Sequence, residues 1–532
     1  MTSRGTRQAA AGVAAAIVLF VCAGVALRSA PARQPVGDVA VIEIDVLHSL
    51  NGFWPLGSYS RYGWRHPGPL QFYLLAPLYW LSGTQSAALP AGALLLNLGC
   101  LAFVAWAAKR HLPPGTALAV SVAAAALAVR ADGLLTSIWN PHAVVFPLAA
   151  TVLASALAAA GHPWFLLAAV AGASFLAQTH VGLAAIAVVL IAAPALVLIA
   201  GAIRHRRVNA SAARRNERAL VAALVLGALL WAPPLIQQAT ARPGNITELA
   251  AFFLSADRTG QPVSMAARIA AYESAALWWP GLDLPWGRPL QIPHSRTWLI
   301  VSGGQALAIG LLLAAWARRG RDERWWLGLM TLAGAGAGVA ASTRIESPVP
   351  GYMVFWLSAV GAIGAGVIAG AILDAIAARA GGGGRPGRWG RWGGWMCAAA
   401  VGVTAVAGTA EWRRVVHRAP LDVEAAAAVW AVNGALQHYY TGHAGEVPLI
   451  RVSQSNWGET AGVVLQLYKA HRRFTVETDW VVMFGEPFAP TGRETQELFL
   501  ADGPDRKRLL KTRDVTILAD TTRLSALVTG SR

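Results

Sequence analysis

The chain of 532 residues has few charged residues and few cysteines, and each shortage excludes a class of protein. Charged residues make up 13% of it, whereas a soluble protein carries roughly a quarter. The three cysteines, Cys22, Cys100 and Cys397, all lie in apolar segments, so neither an exported domain held by disulfides nor a Cys-ligated metal site is expected. Hydrophobic residues make up 55% of the chain, gathered in long runs, and these predict a membrane protein.

The apolar runs predict a polytopic α-helical membrane protein with about eleven transmembrane helices, because about 20 residues at 1.5 Å each span the hydrocarbon layer. A cleaved signal peptide is the alternative for the first run, which is long for one. Residues 69–83 are apolar but short and interrupted by proline, which suits an interfacial or re-entrant helix. The predicted spans are residues 9–27, 87–108, 115–131, 142–160, 163–178, 181–203, 219–238, 297–317, 325–341, 352–373 and 394–411.

Basic residues occur in every second connection between these spans. Since Lys and Arg accumulate in short cytoplasmic loops, this pattern places the amino terminus in the cytoplasm and, after an odd number of crossings, the carboxyl terminus outside. It also accounts for the net charge of +17 without a nucleic-acid partner. The turn at 161–163 has no Lys or Arg. The residues that set the orientation are Arg4, Arg7, Lys109, Arg110, Arg204, Arg206, Arg207, Arg214, Arg215, Arg218, Arg318, Arg319, Arg321, Arg324, Arg379, Arg385, Arg388 and Arg391.

From about residue 412 the composition becomes that of a soluble protein. Short β-rich runs at 447–452, 474–484 and 515–518 alternate with helical patterns such as 421–436, which predicts a small extracytoplasmic α/β domain. We therefore predict two domains, a transmembrane domain of residues 1–411 and a soluble domain of residues 412–532. The glycine- and arginine-rich segment Gly381–Gly394 is expected to be a flexible cytoplasmic linker.

Polar residues concentrate in the outer connections. Asn140 and His142 lie in one turn, and Gln178 and His180 lie in another. Polar groups at a membrane boundary cost free energy unless they pair or line a wet cavity, so these four are candidate substrate-binding residues. Capping of helix ends is the alternative for Asn140 and Gln178.

The first outer loop holds three acids, Asp38, Glu43 and Asp45, within eight residues. If the stretch is helical, Asp38 and Asp45 share a face while Glu43 points away from both. Its β-branched residues leave a strand open. A carboxylate at the edge of a low-dielectric cavity suits general-base catalysis on a hydroxyl, and a solvated loop acid is the alternative, most of all for Asp45.

The same loop continues into an aromatic and basic turn, Tyr59–Pro69. Tyr59 and His66 are candidates for stacking or bonding to a sugar, and Arg61 and Arg65 for meeting a phosphate. An interfacial anchor would have the same composition. Arg344, nearly alone between two spans, is a further candidate for a lipid phosphate, with pairing to Glu346 as the alternative.

Together these features resemble the GT-C glycosyltransferases, which include protein mannosyltransferases, aminoarabinose transferases and mycobacterial arabinosyltransferases. The resemblance covers roughly residues 9–410, and it is specific in the first loop and loose elsewhere. Within that superfamily the chain looks like an uncharacterised actinobacterial group. The resemblance rests on Gly37-Asp38-x-Ala40-x-Ile42-Glu43, on the Tyr59–Pro69 turn, on Trp139-Asn140-Pro141-His142 and on Gln178-Thr179-His180-Val181-Gly182.

The resemblance implies an inverting glycosyltransferase of the bacterial plasma membrane. It would move a sugar from a polyprenyl-phosphate donor to a cell-envelope glycan, lipid or protein on the outer face. An acid of the first outer loop is the catalytic base in that superfamily, and this maps onto Asp38, supported by Glu43. Many relatives carry adjacent Asp and Glu, whereas Val39 follows Asp38 here, so the choice of acid and the need for a divalent cation stay open. We assign no metal ligand.

Two other functions are compatible with a polytopic protein. A transporter or flippase of lipid-linked saccharides places ionisable residues near the bilayer midplane and often shows matched, broken helices in two halves. The spans here have almost no charge at their centres, and no internal repeat is visible. A receptor or structural protein that binds cell-wall polymer would have no use for the acids of the first loop.

Overall fold

The computed structural model describes residues 17–255, 259–279, 282, 284–379, 389–417, 423–443 and 445–529. Arg4 and Arg7, the start of the first predicted span and most of the predicted linker lie outside these residues. The chain divides into two compact units, Met1–Gly92 with Arg413–Arg532, and Ala93–Trp412. This division differs from the two predicted domains, because the amino-terminal residues group with the carboxyl-terminal ones.

Helices account for all eleven predicted spans wherever these are described. Within the described residues, eight helices are long and apolar enough to cross a membrane, and the shorter apolar helices include Ile17–Ser29, Pro114–Arg130 and Phe165–Thr179. The protein is therefore an integral membrane protein with a polytopic helical fold. The orientation of its termini stays a prediction.

The first unit combines apolar helices with a mixed sheet. The helices are α1 Ile17–Ser29, α2 Gly37–Asn51, α3 Leu70–Leu81, α17 Val423–Gly442, α18 Trp457–Lys469, α19 Val481–Phe484 and α20 Gly503–Thr512. The strands are β1 Tyr59–Ser60, β2 Trp64–Arg65, β3 Pro448–Val452, β4 Thr475–Val476, β5 Gln496–Ala501, β6 Val515–Asp520 and β7 Ser525–Thr529. The strand order of the sheet is β4-β3-β5-β7-β6, with β3 parallel to β4 and β5 and the remaining pairs antiparallel.

The predicted α/β pattern of the carboxyl-terminal part is confirmed with one correction. Strands β3 and β6 and helix α17 lie where the sequence predicts them. The run 474–484 is not one strand: only Thr475–Val476 pairs in the sheet, and the chain then turns into the short helix α19. Helix α19 buries Met483 and Phe484, so tertiary packing overrides the β propensity of this run.

The second unit is a helical assembly. Its helices are α4 Ala88–His111, α5 Pro114–Arg130, α6 Asn140–Ala143, α7 Val145–Ala159, α8 Phe165–Thr179, α9 Ala184–His205, α10 Ala210–Thr240, α11 Asn245–Leu254, α12 Val263–Ser274, α13 Thr297–Ala317, α14 Glu323–Ser342, α15 Leu357–Arg379 and α16 Trp389–His417, of which α4 begins and α16 ends in the first unit.

Helices α5 and α15 pack closely because α15 presents glycines to α5. A Cβ built at Gly366 would lie 2.7 Å from the Val120 Cα, and one at Gly370 would lie 2.4 Å from the Thr116 Cα. Asp374, further along α15, accepts hydrogen bonds from the Gly115 and Thr116 amides at 2.8 and 3.2 Å and so caps the start of α5. Small residues allow such close approach between apolar helices.

The turn at 161–163 lies beside helix ends that the sequence assigns to the cytoplasm. His162 Nε2 is 3.1 Å from Glu323 Oε1 at the start of α14, and its ring centroid is 4.2 Å from that of His111 at the end of α4. The turn therefore shares a side of this unit with the ends of two other helices, in keeping with the predicted alternation.

Candidate functional site

The three acids of the first loop lie on one helix. Helix α2 starts at Gly37, whose φ of +59° suits glycine. Asp38 lies in the first turn and is exposed, where a carboxylate interacts favourably with the helix dipole. Glu43 and Asp45 are both 0% exposed. The helical alternative is therefore the one observed, and burial separates Asp38 from the other two acids.

Asp45 forms a buried ion pair with Arg65. The Arg65 Nη1 lies 2.7 Å from Asp45 Oδ1, with the Arg65 side chain 3% exposed. Burial raises the pKa of the Asp45 carboxyl to about 7, and the Arg65 charge opposes that rise. Asp45 is thus not the solvated loop acid that the sequence favours, because a basic residue 20 positions away folds back onto it.

Arg65 is committed to internal partners. Its Nε donates to the Val482 carbonyl at 2.9 Å, its Nη2 to the Met483 carbonyl at 2.7 Å, and its Nη1 also to the Gly57 carbonyl at 3.1 Å. The guanidinium lies 4.9 Å from the Trp54 ring centroid. The sequence predicts that Arg65 binds a donor phosphate. The geometry instead fits a structural cation that joins α2 to the carboxyl-terminal segment, residues 413–532.

Glu43 is held by three donors on one oxygen. Its Oε1 accepts hydrogen bonds from the Tyr79 hydroxyl at 2.7 Å and the Ser86 hydroxyl at 2.8 Å. The Lys469 ammonium forms an ion pair with the same oxygen and donates to the Ser86 hydroxyl at 3.0 Å. Within the described part of the chain, Glu43 Oε2 has no hydrogen-bond partner. This environment fits an anchor for α2 better than a base that meets substrate.

The aromatic and basic turn is a small hairpin in which β1 pairs with β2. Arg61 at its tip is exposed, with its guanidinium 5.3 Å from the Tyr62 ring centroid. His66 is buried, and its ring meets the Trp64 ring edge-on at 5.3 Å. Tyr59 is half-buried, and burial together with the nearby Asp38 charge raises the pKa of its phenol. The negative charge of Asp38 therefore lies near enough to Tyr59 to disfavour ionisation of its phenol.

His48 is a buried group of α2 that the sequence did not single out. Its Nε2 donates to the Phe484 carbonyl at 2.8 Å, and its Nδ1 accepts from the Tyr468 hydroxyl at 3.2 Å. Burial lowers the pKa of His48 to about 4, so this imidazole is neutral at neutral pH. No pattern in the sequence marks His48, because its partners lie more than 400 residues away.

In the second unit the two polar turns meet. Asn140 Nδ2 donates to the Thr179 carbonyl at 3.2 Å, which joins the 139–142 turn to the 178–180 turn. Gln178 Nε2 donates to the Leu230 carbonyl at 2.9 Å, whereas its Oε1 has no hydrogen-bond partner within the described residues. Asn140, Gln178 and His180 are all buried. The structure thus brings together two turns whose polar residues the sequence predicts to bind substrate.

His142 lies in an aromatic cluster. Its Nδ1 is 3.0 Å from the Ser137 hydroxyl and its Nε2 is 3.3 Å from the Pro285 carbonyl. The Trp286 ring lies 4.8 Å from the His142 ring and is stacked on Trp139 at 5.2 Å. Trp286 is 45% exposed. It lies in a loop without a sequence signature, so the sequence alone did not identify it.

Arg344 lies in the turn after α14 and is exposed. The backbone of this turn is fixed by two contacts: the Arg344 amide donates to the Ala341 carbonyl at 3.0 Å, and Gln261 Nε2 donates to the Ile345 carbonyl at 3.1 Å. The phosphate role of Arg344 stays a prediction. Within the part of the chain that the structure describes, no group of three or more His, Cys, Asp or Glu side chains is arranged to hold a metal ion.

Comparison with known proteins identifies the fold. No protein-family model and no curated protein matches the sequence. The chain is similar to the crystal structure of ArnT from Cupriavidus metallidurans bound to undecaprenyl phosphate, with a TM-score of 0.51, 16% identity, and coverage of 97% of this chain and 99% of that one. The apo structure of the same protein gives a TM-score of 0.49 at 15% identity, with 100% of both chains covered. The chain therefore has the polytopic helical fold of ArnT.

Proposed function

We propose that this protein is a membrane glycosyltransferase that moves a sugar from a polyprenyl-phosphate donor to a cell-envelope acceptor on the outer face of the membrane. Two findings support the proposal. The chain has the fold of ArnT, whose crystal structure holds undecaprenyl phosphate. The loop that bears the catalytic acid in the GT-C superfamily here forms a helix that carries an exposed carboxylate.

The exposure of Asp38 is the observation that carries the assignment of the base. A base for an acceptor hydroxyl must be reachable by the acceptor. Of the three acids on α2, Glu43 and Asp45 are 0% exposed and engaged in ion pairs. Asp38 alone among them is exposed. Glu43, which the sequence paired with Asp38 as a catalytic acid, therefore supports the helix rather than the proton transfer.

In the proposed reaction, Asp38 takes the proton of an acceptor hydroxyl as the hydroxyl oxygen bonds to the anomeric carbon of the donor sugar. The bond from that carbon to the phosphate oxygen breaks, and polyprenyl phosphate leaves with the electron pair. Attack opposite the leaving group inverts the anomeric centre. The charge that develops on the phosphate needs a cation. Arg61 and Arg344 are exposed and suit this role, whereas Arg65 does not.

The buried polar residues are proposed to hold the saccharides. Asn140, His142, Gln178 and His180 carry amide and imidazole groups at two turns that meet. Tyr59 lies in strand β1 of the hairpin that follows α2, and His66 comes directly after strand β2. Such groups suit sugar hydroxyls, because each sugar hydroxyl both donates and accepts hydrogen bonds. The sugar and the acceptor are not specified by these residues.

The test is transfer from synthetic polyprenyl-phosphate pentoses and hexoses, labelled in the sugar, in membranes that contain the full-length protein. We expect release of polyprenyl phosphate and transfer of label to an envelope acceptor. Asp38→Asn should lower the rate by about 10²–10⁴-fold, the usual contribution of a general base. The matched control is Asp479→Asn, the same change at another exposed carboxylate, which should retain the wild-type rate.

Three results would contradict the proposal in different ways. An undiminished rate in Asp38→Asn removes Asp38 from the base role. Retention of every donor linkage, with no polyprenyl phosphate released, argues against a transferase. Movement of intact lipid-linked sugar across the bilayer would favour the transporter.

A further inference from the structure

The buried side chains of α2 contact residues near the carboxyl terminus of the chain. Glu43 pairs with Lys469, the last residue of α18. His48 contacts the Phe484 carbonyl and the Tyr468 hydroxyl. Both of these attachments reach the carboxyl-terminal segment, residues 413–532, so that segment contributes to the position of the helix, together with Tyr79 and Ser86.

The start of α2 is held by close backbone approach. Gly458, in the first turn of α18, has its Cβ position 3.5 Å from the Gly37 Cα and the Gly37 amide nitrogen. A Cβ at Gly462 would lie 2.9 Å from the Pro35 carbonyl oxygen, and Gln34 Nε2 reaches the Gly462 carbonyl at 3.5 Å. The helix start that presents Asp38 therefore rests on the first turns of α18.

We propose that Lys469 is a positioning residue for the transfer reaction, and that the carboxyl-terminal segment is part of the catalytic machinery through this residue. Lys469 is 19% exposed, and Glu43 is 0% exposed. The pair fixes the middle of α2, while the glycine contacts fix its start. Asp38 lies between these two attachments. This inference rests on the proposed function, because it assigns Lys469 a role in presenting the proposed base.

The chemistry explains why such a fixed helix matters. Proton abstraction needs the base within hydrogen-bond reach of the attacking hydroxyl, and a misplacement of about 1 Å costs about 10²-fold in rate. Asp38 has a side chain of one methylene, so most of its placement comes from the backbone of α2. A helix anchored at both sides of the base holds that placement without contact between Lys469 and substrate.

The experiment compares Lys469→Met, Glu43→Gln and the double variant in the full-length protein. We expect Lys469→Met to lower kcat by about 10-fold or more, because α2 then shifts by a fraction of an ångström, and to leave the donor KM unchanged. Since Lys469 acts through Glu43, adding Lys469→Met to Glu43→Gln should lower kcat no further. Lys469→Arg should retain most of the rate, and Lys507→Met, which removes an exposed lysine from the same segment, should retain all of it.

A second measurement does not depend on turnover. Amide hydrogen exchange of residues 37–43 should rise in Lys469→Met and stay at the wild-type level in Lys507→Met. A wild-type kcat in Lys469→Met would overturn the inference, as would independent, multiplicative effects of the two substitutions. A kcat that falls only in proportion to the thermal midpoint across all variants would show a purely structural role.

The two proposals fail separately. If the wild type transfers no sugar from any donor, the proposed function is wrong. Loss of exchange protection at residues 37–43 in Lys469→Met would then still show that Lys469 positions α2, and unchanged protection would overturn that as well.

Discussion

The contacts around α2, inside the first compact unit, differ in kind from the contacts around α15, inside the second. In the first unit, the interior around α2 contains two ion pairs and a neutral histidine, and each of them joins segments far apart in the chain. In the second unit, helix α15 meets α5 and α12 through glycines, with backbone atoms in near contact. Buried ion pairs are therefore prominent around α2, and close backbone approach at glycines is prominent around α15.

The difference follows from the surroundings of each unit. Apolar helices in a bilayer gain little from burying more hydrocarbon, so close packing of small residues stabilises their contacts. A buried charge, in contrast, is tolerated only when its partner is in place. We therefore expect the first unit to be sensitive to lost partners and to pH, and the second unit to be sensitive to added volume.

The largest effect should come from Arg65→Met. The substitution leaves the Asp45 carboxylate buried without its cation and removes the donors to Val482 and Met483, which costs about 3–5 kcal/mol for a broken buried pair. The measurement is the thermal midpoint of the purified protein in detergent. Arg61→Met, in the same turn but exposed, should change stability by less than about 0.5 kcal/mol. Equal midpoints for the two variants would contradict a structural role for Arg65.

Acid should remove the contribution of the neutral His48 imidazole to the stability of the first unit, whereas protonation of Asp45, whose pKa is raised to about 7, acts in the opposite direction. The pKa of His48 falls from 6.5 to about 4 on burial, so the unfolded chain binds a proton that the folded chain does not. The stability from the neutral imidazole is therefore complete above pH 6.5 and is lost as pH falls toward 4, by about 3 kcal/mol in all. His48→Gln should show a smaller decrease in thermal midpoint between pH 7 and pH 5 than the wild type. His438→Gln, at an exposed histidine, should follow the wild-type decrease, and a parallel decrease in all three proteins would contradict this account.

The smallest effect should come from added volume in the second unit. Gly366→Ala places a methyl group 2.7 Å from the Val120 Cα, so helices α5 and α15 must separate, at about 1–3 kcal/mol for overpacking. Gly336→Ala adds the same methyl group to α14 with nothing within 4 Å and should be neutral or slightly stabilising, because alanine favours helix. A lower thermal midpoint for Gly366→Ala alone supports packing by shape, and indistinguishable midpoints would contradict it.

The sequence predicted the parts of this protein that depend on local composition. Apolar runs predicted the helices, and the concentration of polar residues in the outer connections identified the turns at 139–142 and 178–180 as candidates. The sequence did not predict which residues pair with the side chains of α2. Asp45 was expected to be solvated and Arg65 to meet phosphate because each residue was judged from its neighbours in sequence, whereas Val482 lies 417 residues from Arg65. Pairing at that distance depends on tertiary packing, which hydrophobic periodicity does not encode.

The first unit combines residues from both ends of the chain, so some of its contacts form only late in translation. Glu43 leaves the ribosome early, while Lys469, Val482 and Met483 are translated after nearly all of the membrane helices. Until those residues emerge, the acids of the first loop have no cation from the far end of the protein. A product truncated before α18 would therefore lack the cation that pairs with the Glu43 carboxylate.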